Sequence, residues 1–332
     1  MISTAQLQGF IDGKTKPLAS LGRIEALAAQ LAQLQDSLTP TAERCLLTVF
    51  AADHGIAEEG VSAYPQTVTR QMAHNLLAGG AAANAFANAL GVHCLWVDAG
   101  MAGDPIANPA LLDRRLAAGT QNALRRPAMT TEQTQQALAA GRSLGESNDC
   151  DVACFGELGI GNTAAASLVA AAILNAPLAD LVGRGTGLDD AGLAHKRAVL
   201  EQASARAPGP LSVEAALMQF GGFEIAMMAG AMLGAAASQR LVIVDGFIAT
   251  VAALAAQRLE PACQPALVYA HRSAEAGHTV VLDALGADPL LDLSLHLGEG
   301  TGALLAWPLV RAAAAMLCDM ASFDSARVSG PR

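Results

Sequence analysis

At 332 residues the chain is long enough for one large domain, or one large and one small. Its formal charge of −10, from 20 Lys and Arg against 30 Asp and Glu, argues against nucleic acid or an anionic membrane as partner. Apolar residues reach 52% while Phe, Trp and Tyr together make 4%, which points away from aromatic-rich sandwiches and base-stacking platforms and towards helices packed closely on parallel strands.

Up to about Pro40 the pattern is helical, with Leu18–Gln35 as its main element and no strand. Short runs apolar on both faces then predict strands at Cys45–Ala51, Val92–Val97, Val152–Phe155, Leu241–Val244, Ala266–Tyr269 and Thr279–Leu282. Segments of helical period lie between them at Thr67–Leu77, Thr131–Arg142, Asn162–Leu174, Ala191–Arg206 and Glu224–Ala236. Gly302–Ala321 is helical again. The alternation predicts an α/β fold, a doubly wound parallel sheet with helices on both faces. Residues 41–300 are expected to form this large domain. The chain ends, 1–40 with 301–332, are expected to pack together as a small helical subdomain.

The six cysteines show no zinc-type spacing and read as structural thiols, which fits a reducing cytoplasm. No basic segment followed by an apolar one opens the chain, so no secretory signal is expected. The apolar stretch Ala226–Ser238 is bounded by Glu224 and Gln239, too close together for a bilayer span of ~20 residues. It is expected to be a buried helix.

Three glycine-rich loops carry the candidate chemistry. In Gly156–Thr163, Gly159 and Gly161 free the backbone to turn after a strand, and Asn162 or Thr163 can cap the next helix. A phosphate would meet free amides and the positive helix end there, although a plain strand-to-helix turn is the commoner explanation of one such loop. Glu157 would repel a phosphate, so it is assigned to ribose hydroxyls instead. The second loop, Gly183–Gly187, carries Arg184 and Thr186. Lys196 follows in the next helix, where a solvated surface lysine is the default reading. Two such loops in one α/β chain suggest a shared ligand.

The third loop places Glu299 between Gly298 and Gly300, just before a helix start. Helix-capping alone would explain an acid there, worth ~0.3–1 kcal/mol. Glycines on both sides make a poor stabilising device and a good close-approach site, so we assign Glu299 to chemistry. After the first strand, Asp53-His54-Gly55 leads to Ser62, Tyr64 and Pro65, with Gln71 in the following helix. Polar groups and one ring on a loop suit a planar heterocycle, and a capped connection is the bland alternative. With no nucleophile motif in sight, His54 reads as structural or substrate-positioning.

The strings Asp53–Gly55, Gly60–Gln66, Gly156–Thr163, Gly183–Gly192 with His195-Lys196, Gly221–Ala226, Asp245–Phe247, His271–Glu275 and Leu297–Gly302, in this order, resemble the nicotinate-nucleotide–dimethylbenzimidazole phosphoribosyltransferase family. The resemblance covers nearly the whole chain. It implies a Rossmann-like large domain, a homodimer, no cofactor, no metal, and transfer of phosphoribosyl from nicotinate mononucleotide to 5,6-dimethylbenzimidazole. It also implies Glu299 as general base, and base binding by Ser62, Tyr64, Gln71 and the backbone around Leu297. Phosphoribosyl binding is implied for Glu157, Gly159, Gly161, Asn162, Thr163, Gly185, Thr186 and Gly187, with Lys196 near.

The implied chemistry is self-consistent. A pyridinium ring leaves neutral at nitrogen, so neither a strong general acid nor a metal to neutralise pyrophosphate is needed. The incoming benzimidazole does need a base, because one nitrogen becomes more acidic as the other attacks. Two rivals stand beside this reading. A phosphoribosyl pyrophosphate-dependent transferase would use Leu241–Asp245, a strand ending in an acid, with Thr250 following, and a non-catalytic nucleotide sensor would use the same glycine loops.

Overall fold

The computed structural model describes residues 2–329. Among them, six parallel strands form one sheet: β1 (Cys45–Ala52), β2 (His93–Gly100), β3 (Leu111–Asp113), β4 (Val152–Leu158), β5 (Leu241–Val244) and β6 (Leu267–Tyr269). Their spatial order is β3-β2-β1-β4-β5-β6. The order reverses between β1 and β4, so the loops leaving those strands diverge and open a crevice at the carboxyl ends.

Helices α1 (Thr4–Asp12) and α2 (Arg23–Leu34) precede the sheet, and α3 (Thr67–Leu77) and α4 (Ala82–Leu90) join β1 to β2. Helix α5 (Thr131–Ser147) leads into β4. From β4 to β5 run α6 (Asn162–Leu174), α7 (Leu178–Leu181), α8 (Asp190–Arg206), α9 (Val213–Phe220) and α10 (Phe223–Ala237). Helix α11 (Phe247–Leu259) follows β5 and α12 (Ala276–Leu285) follows β6, with α13 (Thr301–Cys318) and α14 (Phe323–Ala326) last.

Strand side chains alternate between two buried clusters, as a period of two requires. Val152 and Cys154 of β4, and Leu241 and Ile243 of β5, face the cluster shared with α1, α2, α4 and α13. Ala153, Phe155, Val242 and Val244 face the other, built on α5, α6 and α8 to α11. The doubly wound sheet expected from the sequence is therefore present. Lys14 Nζ donates to the carbonyls of Leu317 and Met320, at 2.6 and 2.8 Å. Leu7, Leu31 and Trp307 belong to the same buried cluster as Leu47 and Val49 of the sheet. The outermost residues of the expected subdomain, 1 and 330–332, lie outside the described residues. Helix α13 is long and apolar enough to cross a bilayer by length and composition, but 61% of it is buried in this core.

Two expected elements differ. Thr279–Leu282 is not a strand but part of α12, where Gly277, His278, Val281, Leu282 and Leu285 are buried. That spacing is helical, and it prevails over the β-branched composition. The sixth strand is instead Leu111–Asp113, three residues paired on β2. The first long helix begins at Arg23, not Leu18, because Ala19 and Gly22 both take positive φ, at 54° and 52°.

Helices α5 and α10 run side by side in the same direction and touch backbone to backbone. A methyl on Gly230 would strike the Leu138 carbonyl, and one on Gly141 the Met227 carbonyl. Gly230→Ala should therefore lower stability by roughly 1–3 kcal/mol through overpacking, even though alanine is the better helix former by about 1 kcal/mol. Urea unfolding measures this, and an unchanged or raised midpoint would show that the contact is not tight.

Candidate active site

Over the carboxyl ends of β1, β4, β5 and β6 lies a cavity of about 360 Å³. Tyr64, Glu157, Gly159, Asn162, Thr163, Gly185, Thr186, Leu297 and Glu299, assigned from sequence, all line it. A larger cavity of about 820 Å³ adjoins it, sharing Tyr64, Gly185, Thr186 and Leu297 and adding Gly187. Tyr64 and Leu297, 52% and 60% exposed, stand at the mouth.

Gly298, Glu299 and Gly300 take three successive positive φ values, 90°, 61° and 78°. Glycine adopts this readily, whereas the glutamate pays for it in strain of order 1–3 kcal/mol. Two contacts hold the turn. The Glu299 N–H donates to the Glu157 carbonyl at 3.3 Å. Asp245, immediately after β5, accepts from Gly300 N at 3.1 Å and Ala303 N at 2.9 Å, so it caps α13 from another element. Gly156 must lack a side chain because the Glu299–Gly300 peptide lies directly on it.

The Glu299 carboxylate is 3% exposed and accepts from Ala83 N, at the start of α4, at 3.3 Å. Burial raises its pKa, the Ala83 amide opposes this, and the Asp245 charge raises it further. Glu157, on the same cavity wall, is bonded by the Asn162 side-chain amide. Burial, with the neighbouring Asp245, Glu224 and Glu299 charges, holds its pKa well above the carboxylate range. The protonated form, favoured by that shift, can donate to as well as accept from a hydroxyl.

Beneath the glycine loops the structure corrects one reading. Lys196 is not a solvated surface lysine: it is fully buried, and its Nζ donates to Thr163 Oγ1 at 3.0 Å and the Gly183 carbonyl at 3.2 Å. Burial pulls its pKa down to about 8, against the opposing Glu275 charge. A Cβ on Gly185 would stand 3.4 Å from this nitrogen, so the second glycine loop lies directly over the cation. Gly161, φ 97°, starts α6 and rests on His54, 3.1 Å from its would-be Cβ to the His54 Cβ.

Two assigned base-binding residues do not line the cavity. Ser62 Oγ lies 3.2 Å from Thr186 Oγ1 and so ties the first loop to the second. Gln71 is exposed, and α3 presents Val68 and Met72 to the cavity instead. Their i, i+4 spacing, continuing from Tyr64, was the available signal. Sequence reasoning also passed over Glu224, which is fully buried and meets His54 Nε2 at 2.7 Å. Burial pulls the His54 pKa down, but Glu224 and Asp53 raise it above its ordinary value overall. No cluster of three or more His, Cys, Asp or Glu able to hold a metal occurs among the described residues.

A parallel sheet with glycine loops at helix starts and a buried acid over its switch point defines an α/β enzyme fold suited to a phosphorylated ligand. Comparison with known proteins sharpens this. The phosphoribosyltransferase family profile matches residues 2–328. A nicotinate-nucleotide–dimethylbenzimidazole phosphoribosyltransferase of Aromatoleum aromaticum is 52% identical over 328 residues, covering 98% of this chain and 95% of the relative. One from Cupriavidus necator is 54% identical, covering 98% and 94%. The crystal structure of CobT from Thermus thermophilus superposes with a TM-score of 0.94 at 44% identity, over 98% of this chain and 99% of that one. The chain belongs to the nicotinate-nucleotide–dimethylbenzimidazole phosphoribosyltransferase family.

The Lys196 geometry predicts a pH effect. Its folded pKa of about 8 lies below the unfolded 10.5, so between those values the unfolded chain binds more protons and stability rises with pH. Relative to Lys196→Met, the wild type should gain on the order of 3 kcal/mol from pH 8 to 10.5, at about 1.4 kcal/mol per pH unit. Urea midpoints across that range test it, and parallel curves would contradict it.

Proposed function

We propose that the protein transfers phosphoribosyl from nicotinate mononucleotide to 5,6-dimethylbenzimidazole, giving α-ribazole 5′-phosphate and nicotinate, with Glu299 as general base. The observation that carries this is a buried carboxylate, held in a strained turn, lining one cavity with two glycine loops and a helix start. Phosphate would sit on the first-turn amides of α6 and the Gly185–Gly187 loop, with buried Lys196 supplying the charge that an acidic chain lacks elsewhere. Its ribose would meet Glu157. The acceptor ring would lie against Tyr64, Val68, Met72 and Leu297, with one nitrogen at Glu299.

The raised pKa of Glu299 suits the task. A carboxylate of raised pKa takes a proton more readily than an ordinary one. Attack opposite the leaving ring inverts the sugar carbon, so a β-linked donor gives an α-linked product. Holding both rings across one ribose supplies the remaining acceleration by orientation. A cytoplasmic setting and a homodimer belong to the same reading.

The pyrophosphate-dependent rival finds less support, because both its features are engaged in packing. The Asp245 oxygens accept the α13 amides, and Thr250 Oγ1 lies 2.9 Å from His278 Nε2. Purified protein in chelator, given both substrates, should yield the α-linked nucleotide by mass analysis, whereas the rival requires magnesium. Glu299→Gln should lower kcat/KM by roughly 100- to 10,000-fold and leave acceptor affinity within a few-fold. Unchanged turnover would remove Glu299 from the chemistry, and a sensor would show no turnover in either form.

A further inference from the structure

Behind the first glycine loop lies a group of buried charges that the reading above leaves without a task. Asp53 and His54 follow β1 where the strand order reverses, and each is 1% exposed. Glu224, in the first turn of α10, is fully buried, and its Oε1 lies 2.7 Å from His54 Nε2. Gly222 makes room for this pair, since a methyl there would strike both His54 Cε1 and the Glu224 carboxylate.

Two routes lead from Asp53-His54 to the loop. His54 supports it by contact: the would-be Cβ of Gly161 stands 3.1 Å from His54 Cβ, and that of Gly159 3.5 Å from His54 Cδ2. Asp53 reaches it through α3. Burial raises the Asp53 pKa, while the Ala102 amide, at 2.7 Å, and the Thr69 hydroxyl favour its charged form. Thr69 Oγ1 in turn accepts from Ile160 N, between the two glycines, at 3.0 Å. The loop held in this way opens α6 and carries Asn162, whose side-chain amide bonds Glu157.

Packing alone does not call for these residues. Taking a His–Glu pair out of water is costly, and apolar side chains of similar volume often pack as well. Asp53 Oδ1 and Glu224 Oε2 even lack a hydrogen-bond partner among the described residues. What the pair adds is a directional bond that fixes the imidazole against the loop. It also adds charge: burial disfavours the imidazolium, but Glu224 and Asp53 outweigh it.

We infer that Asp53 and His54 brace the first glycine loop for the donor's phosphate, His54 through Glu224 and Asp53 through Thr69. They are positioning residues, acting through the loop and touching no substrate. The inference rests on the phosphoribosyl-transfer reading above, and a binding measurement that needs no turnover keeps the two apart. Affinity for inorganic phosphate is measured by calorimetry on the full chain, beside the KM for nicotinate mononucleotide and the affinity for 5,6-dimethylbenzimidazole. His54→Asn shortens the side chain so that it no longer reaches Glu224. His54→Gln sets its amide near the position of Nε2 and keeps the bond. Glu224→Leu cuts the same bond from α10 with little change of volume.

His54→Asn and Glu224→Leu should each weaken phosphate binding and raise the donor KM by about 10- to 100-fold, with kcat and acceptor affinity within a few-fold. Their double variant should lose no more than either single, because both cut one bond. His54→Gln should recover most of the loss, which a side chain that merely fills space would not. Thr69→Val severs the second route without touching the pair, so it carries the test if either of those variants fails to fold. It should weaken phosphate binding several-fold, and unchanged binding would overturn the brace. Equal losses for donor and acceptor, or additive losses in the double variant, would overturn it too. A wild type that yields no α-linked nucleotide, yet loses phosphate affinity in these variants, would uphold the brace and remove the proposed reaction.

Discussion

Asp245 leaves the sheet at the end of β5 and places both carboxylate oxygens on the backbone of α13, at Gly300 and Ala303. They fix where α13 begins, and so hold Glu299 in a left-handed conformation that a free chain would avoid. They also bury a negative charge beside Glu299, which raises the affinity of that carboxylate for a proton. The position of the proposed base thus comes from one neighbour, which also adds to the rise in pKa that burial chiefly causes. Burial pushes the Asp245 pKa upward, while His271 and the α13 amides favour its charged form.

The electrostatics of the cavity follow from the same crowding. Glu157, Glu224, Asp245 and Glu299 are all nearly inaccessible to solvent, with His54 and His271 as their companions. Burial first, and then the charges of Asp245, Glu224 and Glu299, push the Glu157 pKa well upward. An acidic chain that binds phosphate must then supply its positive charge locally. In the proposed reading it does so with helix starts, which carry no desolvation cost of a full charge, and with Lys196 hidden under the Gly185 loop.

Much of the fold was legible because a sheet covered on both faces writes itself as short apolar runs between helical periods. The runs beginning at Cys45, Val152 and Leu241 are strands that start at those very residues. Legibility failed where tertiary context outweighed local composition. Val280 and Val281 look like strand residues but lie in a helix, and β3 is too short to register. Within the site, glycine loops were visible because left-handed turns demand glycine. The burial of Lys196 was not, since nothing in Ala194-His195-Lys196-Arg197 shows which side of α8 faces inward. The bonds of Asp245 to α13 and of Glu224 to His54 join residues 55 and 170 positions apart, beyond any local pattern. Gln71 and Met72 show the same limit at the scale of one residue, where 100° around a helix separates solvent from cavity.

The most direct test is a structure of the protein bound to nicotinate mononucleotide and 5,6-dimethylbenzimidazole in the Glu299→Gln form, which slows turnover. It should place the side chain at 299 within about 2.6–3.2 Å of one ring nitrogen, with the other nitrogen facing the sugar carbon and the pyridine ring across the ribose. A side chain that stays on the Ala83 amide, with the acceptor ring bound elsewhere, would contradict the account.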